Sequence, residues 1–233
     1  MRPIILLHGA IGASDQLEPL VKELFANGYQ TYSLNFSGHG QTPFENNFSI
    51  QQFADELLEF VVKTHLIRPV VFGYSMGGYV ALHLASQKPG LFSDIITLGT
   101  KFEWSPEIAA KEIKMLDAKT ISEKVPKFAQ ALQKRHGENW QLLLQRTAEM
   151  MLDLGNNNLL NRDSFSKIKN KVLIGLADGD TMVGVEETDN AASKIIAAKR
   201  YTLVNTKHPI ETVNTTELAQ VINQFTNESN RKQ

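Results

Sequence analysis

One stretch of the chain combines residue types and spacing that could do chemistry. In Val70-Val71-Phe72-Gly73-Tyr74-Ser75-Met76-Gly77-Gly78-Tyr79 a serine sits at the centre of Gly-x-Ser-x-Gly. An apolar run of β type leads in, and a small, helix-compatible run from Val80 to Ala85 leads out. A strand that turns at once into a helix forces its central residue into a strained backbone conformation and pushes that side chain into the open. The residues two positions to either side must then be small to avoid collision. Ser75 is therefore a candidate nucleophile. The Met76 N–H, at the start of the following helix, points to where an oxyanion would form.

A serine hydroxyl is a weak nucleophile and needs a base. The chain has six histidines: His8, His39, His65, His83, His136 and His208. Where a nucleophile sits at such a turn, the acid and then the histidine follow it along the chain. His208 alone falls in a loop after a late strand, whereas His83 lies on the helix after Ser75 and His136 in a later helical region. His208 is thus the candidate base. The acid is expected in the loop after the preceding strand, where Asp178 and Asp180 compete. Either could accept a hydrogen bond from the second ring nitrogen, and either could be a turn former. After the first strand, Gly9 of His8-Gly9-Ala10 allows close backbone approach, and the Ala10 N–H is a candidate second oxyanion donor. Gly38-His39-Gly40 reads as a tight loop near the site, with no catalytic role for His39.

These groups need a scaffold that brings distant loops together. Pro3 to Leu7 reads as a buried strand, followed by a helix capped by Ser14 or Asp15 and carrying Leu17, Leu20, Val21, Leu24 and Phe25. A strand over Gln30–Asn35, a helix from a Ser49–Gln52 capping box to about Thr64, the strand before Ser75, its helix, and a strand over Asp94–Leu98 follow. Strand and helix alternate, which predicts a doubly wound, mostly parallel sheet. The pattern changes at Gly99-Thr100. Helical periodicity alone continues to about Asn161, with one helix on Ile108, Ile113, Met115 and Leu116. A second rests on Ile121, Val125, Phe128, Ala129 and Leu132, and a third runs from Trp140 to Leu154. The alternation then resumes with a strand over Lys171–Ala177, a helix over Glu186–Ala198 and a strand over Arg200–Val204. A last helix runs from Thr215 or Thr216 through Phe225, and a polar tail from Asn227 to Gln233 is expected to fray. The expected organisation is a core built from residues 1–100 and 162–233 with a helical insertion over 101–161.

Composition narrows the function classes. The chain has 233 residues, 42% hydrophobic and 21% charged, as in an ordinary soluble globular protein. A net charge of -1 offers no electrostatic footprint for nucleic acid or an anionic membrane. The absence of cysteine excludes disulfides, thiolate catalysis and Cys-ligated metals. The apolar run Ile4–Leu7 is too short for a signal peptide, and no apolar stretch reaches membrane-spanning length, so a cytoplasmic location is the expectation.

The ordered set of His8-Gly9, Gly38-His39-Gly40, Gly73-Tyr74-Ser75-Met76-Gly77-Gly78, Asp180-Thr181-Met182-Val183 and His208-Pro209 resembles the α/β-hydrolase superfamily over essentially the whole chain. In that family the acid commonly stands three residues before a Val that opens the next segment. The resemblance therefore implies Asp180, which stands so relative to Val183, over Asp178. It also implies that residues 101–161 are the family's cap. Fuller members carry two antiparallel strands before the His-Gly strand, so a shortened sheet of about six strands is implied here. No His-Gly-Gly-Gly loop is present, which argues against a dedicated lipase. Serine at the nucleophile position argues against dehalogenase or epoxide hydrolase chemistry. The implied activity is a serine carboxylesterase acting on a small ester or acyl compound through Ser75, His208 and Asp180, with Ala10 and Met76 as oxyanion donors and no cofactor or metal. Thioesterase, C–C hydrolase, cofactor-free haloperoxidase and hydroxynitrile lyase activities use the same fold, and a slow small-molecule sensor is the alternative from another class. Candidate pocket-lining residues are Trp104, Met115, Phe128, Trp140, Met150 and Met151, an aromatic and Met-rich set suited to an apolar substrate part.

Overall fold

The computed structural model describes residues 1–45, 47–196 and 198–230. Six strands form one parallel sheet: β1 (Arg2–Leu7), β2 (Tyr29–Leu34), β3 (Val70–Tyr74), β4 (Asp94–Leu98), β5 (Lys171–Ala177) and β6 (Ala198–Leu203), in the spatial order β2-β1-β3-β4-β5-β6. Residues alternate between the two faces because successive strand side chains point opposite ways. Ile4 and Leu6 of β1, with Val70 and Phe72 of β3, meet helices α1 (Glu18–Ala26) and α10 (Thr215–Asn230) on one face. Ile5, Leu7 and Val71 meet α2 (Ile50–Lys63) and α3 (Met76–Gln87) on the other. A sheet covered on both faces explains why its central strands read as continuous apolar runs.

The chain leaves β1 towards β2 on one side and then returns to β3 on the other. The crevice outside the carboxyl ends of β1 and β3 is thus the topological switch point, where ligands bind in open α/β sheets. Leu7 pairs with Gly73 there, so the loop after β1 and the turn after β3 start side by side.

Several boundaries depart from the sequence reading. The first helix begins as a 3-10 turn over Ser14–Leu17 with Ala13 at its N-cap, and neither Ser14 nor Asp15 caps it. The Ala13 N–H is satisfied by the Gln16 side chain and the Ser14 N–H by Asn35. Phe25 faces solvent. Ser49 caps α2 through the Gln52 N–H, but the Gln52 side chain turns to Glu56, leaving the capping box half made. The helix after β5, α9 (Val185–Lys194), stops earlier than expected, and position 197 lies outside the described residues. The helix α10 continues to Asn230 where fraying was expected, and 231–233 lie outside the described residues.

Between β4 and β5 the chain is helical: α4 (Pro106–Glu112) with a 3-10 turn to Leu116, α5 (Ala118–Lys124), α6 (Pro126–His136), α7 (Trp140–Asn156) and α8 (Arg162–Lys167). The single helix expected across Ile121–Leu132 is two helices. Pro126 cannot donate to a continuing ladder and would clash with the carbonyl four residues back, so the break falls at Val125 (φ −136°). The short α8 was not foreseen, although Asn161 caps it by accepting from the Asp163 and Ser164 N–H groups. Among the described residues no helix is long and apolar enough to cross a membrane.

Candidate active site

Ser75 lies between β3 and α3 with φ 51° and ψ −116°, a conformation strained for any residue with a side chain. The surroundings hold it there. Its N–H donates to the Leu98 carbonyl at 2.8 Å, and its own carbonyl accepts from the Thr100 hydroxyl at 3.0 Å. Both anchors come from the end of β4 and the loop after it, so the neighbouring strand props the turn. Gly77 is required by close approach: a Cβ there would lie 2.6 Å from the Leu7 carbonyl oxygen and 2.7 Å from that of His8. The helix can therefore start directly over the end of β1. A Cβ on Gly9 would lie 3.2 Å from the Ser75 Cβ, which places the loop after β1 against the serine.

His208 stands in the loop after β6 and Asp180 in the loop after β5. The His208 Nδ1–H donates to Asp180 Oδ2 at 2.6 Å, and the Asp180 side chain is 1% exposed. The other oxygen of Asp180 accepts from the Met182 and Val183 N–H groups at 2.8 and 3.0 Å. Burial raises the Asp180 carboxyl, but the His208 hydrogen bond and charge and the two backbone bonds outweigh it and hold the group below the usual aspartate range. A carboxylate satisfied on both oxygens is fixed in place and fixes the ring that binds it. Tyr74 adds a second restraint, its hydroxyl donating to the His208 carbonyl at 2.9 Å.

Asp178 has a different environment. It is exposed and accepts from the Asn205 and Thr206 N–H groups at 2.9 and 3.1 Å, and these bonds hold its carboxyl low. It ties the loop after β5 to the loop after β6.

Ser75, Met76, Ala10 and His208 line one cavity of about 60 Å³, together with Ile50, Tyr79, Lys101, Trp104, Glu112, Met150, Met151, Leu154, Met182 and Val183. Met76 is the first residue of α3, where N–H groups lack intrahelical acceptors. Of the six side chains in residues 101–161 expected to line a pocket, Trp104, Met150 and Met151 reach this cavity. Met115, Phe128 and Trp140 do not. Met115 is 54% exposed and Phe128 39% exposed. Trp140 packs with Ile121, Leu132 and Leu144 in a small core internal to the helices. Lys101 and Glu112 were missed. Lys101 follows the end of β4, next to the strand carrying Ser75, and that position at the carboxyl edge of the sheet was the available signal. Nothing in the local sequence marks Glu112.

The remaining histidines near the site have structural partners. His8 accepts from the Phe36 N–H at Nε2 (3.2 Å) and therefore donates from Nδ1 to the Gly9 carbonyl (2.8 Å). Burial pushes it down to about 4, so it is neutral. His136 accepts from the Gly40 N–H at 3.0 Å and donates to the Ile11 carbonyl at 2.9 Å, tying α6 to the loops after β1 and β2. His39 is fully buried between them, with its centroid 4.8 Å from that of His8 and 6.1 Å from that of His136. Among the described residues no cluster of three or more His, Asp or Glu side chains is placed to hold a metal ion.

Comparison with known proteins agrees with this architecture. Ethanol acetyltransferase 1 of Hanseniaspora uvarum is 30% identical over 108 residues, covering 46% of this chain and 32% of that protein. The sn-1-specific diacylglycerol lipase ABHD11 of Mus musculus is 30% identical over 96 residues, covering 41% of this chain and 31% of that protein. The match thus spans about a third of the length of these curated relatives. The enol-lactonase from Burkholderia xenovorans LB400 superposes with a TM-score of 0.78 at 17% identity, covering 97% of this chain and 91% of that chain. A serine hydrolase from Cycloclasticus zankles does so with a TM-score of 0.79 at 18% identity, covering 97% and 90%. At such identities these structures speak for the fold alone. The family model described as alpha/beta hydrolase fold matches residues 2–146, more than half of the sequence, and with the six-stranded parallel sheet this shows that the chain belongs to the alpha/beta hydrolase family.

Proposed function

We propose that the protein is a serine hydrolase of short-chain carboxylic esters, with Ser75 as nucleophile, His208 as base and Asp180 as its orienting acid. The observation that carries this reading is the hydrogen bond from His208, which lines the same cavity as Ser75, to the Asp180 carboxylate. In the proposed reaction, the Ser75 oxygen attacks the ester carbonyl as its proton passes to His208 Nε2. Asp180 stabilises the imidazolium through Nδ1–H, and the N–H groups of Ala10 and Met76 hold the oxyanion. His208 then protonates the leaving alcohol. Water, deprotonated by His208, cleaves the acyl-serine and releases the acid. The helices between β4 and β5 act as a cap, contributing Met150, Met151 and Leu154 to the wall. The cavity, at about 60 Å³, is far below the several hundred Å³ of a site for a drug-sized ligand, which favours a small acyl group.

Acyl transfer to an alcohol in place of water is the second reading. It is favoured by the likeness to ethanol acetyltransferase 1 and uses the same acyl-serine. Hydrolysis of p-nitrophenyl esters from acetyl to dodecanoyl, by wild type and Ser75→Ala and with and without added ethanol, tests both. Short esters turned over by wild type alone is the expected result. Ethyl ester accumulating with ethanol at the expense of free acid selects the transferase reading, and equal rates in both proteins reject the mechanism.

A further inference from the structure

The cavity lining includes charged side chains that the proposed triad does not use. Lys101 Nζ donates to the Met182 carbonyl at 3.0 Å and stands 3.5 Å from Glu112 Oε1 and 3.7 Å from Glu187 Oε1. The last two separations exceed a good hydrogen bond. Glu187 is otherwise satisfied, because it accepts from the Phe102, Glu103 and Gly184 N–H groups at 2.9, 3.0 and 2.9 Å. Glu112 is not. It is 7% exposed, lines the cavity, and among the described residues makes the Lys101 ion pair and no hydrogen bond. Trp104, which lines the same cavity, has a buried indole N–H without an acceptor. A buried N–H donor left without a hydrogen bond is costly unless a ligand supplies the partner, and a carboxylate held by one long ion pair can still accept a hydrogen bond.

We propose that Lys101, Glu112 and Trp104 form the specificity subsite of this cavity and select esters bearing a neutral hydroxyl over plain and anionic ones. The proposal rests on the ester hydrolase reading above. A hydroxyl both accepts and donates, so it can accept from the Lys101 ammonium or the Trp104 indole while donating to Glu112. A plain alkyl group offers none of the three a hydrogen-bond partner. An anionic group meets one ammonium flanked by two carboxylates, a net negative field that repels it.

The test compares kcat/KM, by pH-stat, for ethyl butanoate, ethyl 3-hydroxybutanoate, 2-hydroxyethyl butanoate and monoethyl succinate. The two hydroxylated esters place the hydroxyl on the acyl and the alcohol side. One of them should exceed ethyl butanoate by about tenfold or more, the worth of one hydrogen bond to a charged group, and monoethyl succinate should fall below it. In Lys101→Met/Glu112→Leu the hydroxyl preference should fall towards one, with the change in KM. The double variant removes the closer charge pair together, and the Glu187 carboxylate that remains keeps its three backbone N–H bonds. Glu112→Gln serves as a milder variant and should lower the same ratio in part. Labelling of Ser75 by a fluorophosphonate separates the two readings. A reactive Ser75 with no hydroxyl preference, or with a preference that survives the double variant, overturns the subsite alone. An unreactive Ser75 with no ester turnover overturns the hydrolase reading and the subsite with it.

Discussion

The carboxyl edge of the sheet and the helical stretch between β4 and β5 follow different rules. At the sheet edge, each candidate triad or oxyanion residue follows a strand whose pairing register fixes where it ends. Ala10 follows β1, Ser75 follows β3, Asp180 follows β5 and His208 follows β6. In the helical stretch no register exists. The destination of a side chain there depends on how short helices pack, and two residues read alike as pocket-lining separate: Met150 reaches the cavity and Phe128 faces water. Precise placement therefore comes from the sheet, and variable lining from the helices.

The contrast breaks at once if Ser75→Ala remains active. We expect a loss of roughly 10⁴-fold or more in kcat, with thermal unfolding little changed because the backbone anchors at Leu98 and Thr100 remain. Next in size is a comparison of two aspartates two positions apart. Asp180→Asn should cost about 10³- to 10⁴-fold in kcat by disturbing the His208 tautomer. Asp178→Asn should stay within about threefold, as expected for a surface change away from the chemistry. Equal losses would erase the distinction that burial and the His208 bond draw between them.

The histidines that join the two regions provide a pH test. His8 is neutral in the fold, with burial first among the causes, and its pKa falls from the ordinary 6.5 to about 4; His39 and His136 are lowered as well, also chiefly by burial. A depressed histidine binds fewer protons folded than unfolded between those limits. The stability is thus fully present above about pH 6.5 and is lost as the pH falls towards about 4, by roughly 3 kcal/mol for His8 alone. Urea unfolding at pH 7 and pH 4.5 measures it, and an unchanged midpoint would refute it. Within the helices, Leu132→Ala should cost about 2–4 kcal/mol by opening a void beside Trp140. Urea unfolding reads that loss, and hydrogen exchange should place the added opening in α5–α7 ahead of the sheet. The smallest effect is expected for Phe128→Ser: stability within about 0.5 kcal/mol and an unaltered chain-length optimum. A shifted optimum would mean that the helices present Phe128 to substrate after all.

Legibility followed the same division. The alternation of apolar runs with 3.6-residue periodicity showed six strands, their helices and the turn at Ser75, because backbone propensity and burial agree at those positions. Neither Ser14 nor Asp15 is the cap the spacing suggests, because Ala13 takes the N-cap position and side chains of Gln16 and Asn35 accept from the Ala13 and Ser14 N–H groups. The periodicity through Val125 hid a break that Pro126 should have announced.

The amino-acid sequence alone determined the strand order in the chain, the strained serine turn and the set of groups at strand ends, since these depend on local spacing and a parallel sheet. The tertiary structure decided which of two nearby aspartates meets His208, which side chains of residues 101–161 enclose the cavity, and that Lys101 and Glu112 share it. Those outcomes depend on contacts between segments far apart in the chain, and local spacing carries no information about the packing that brings them together.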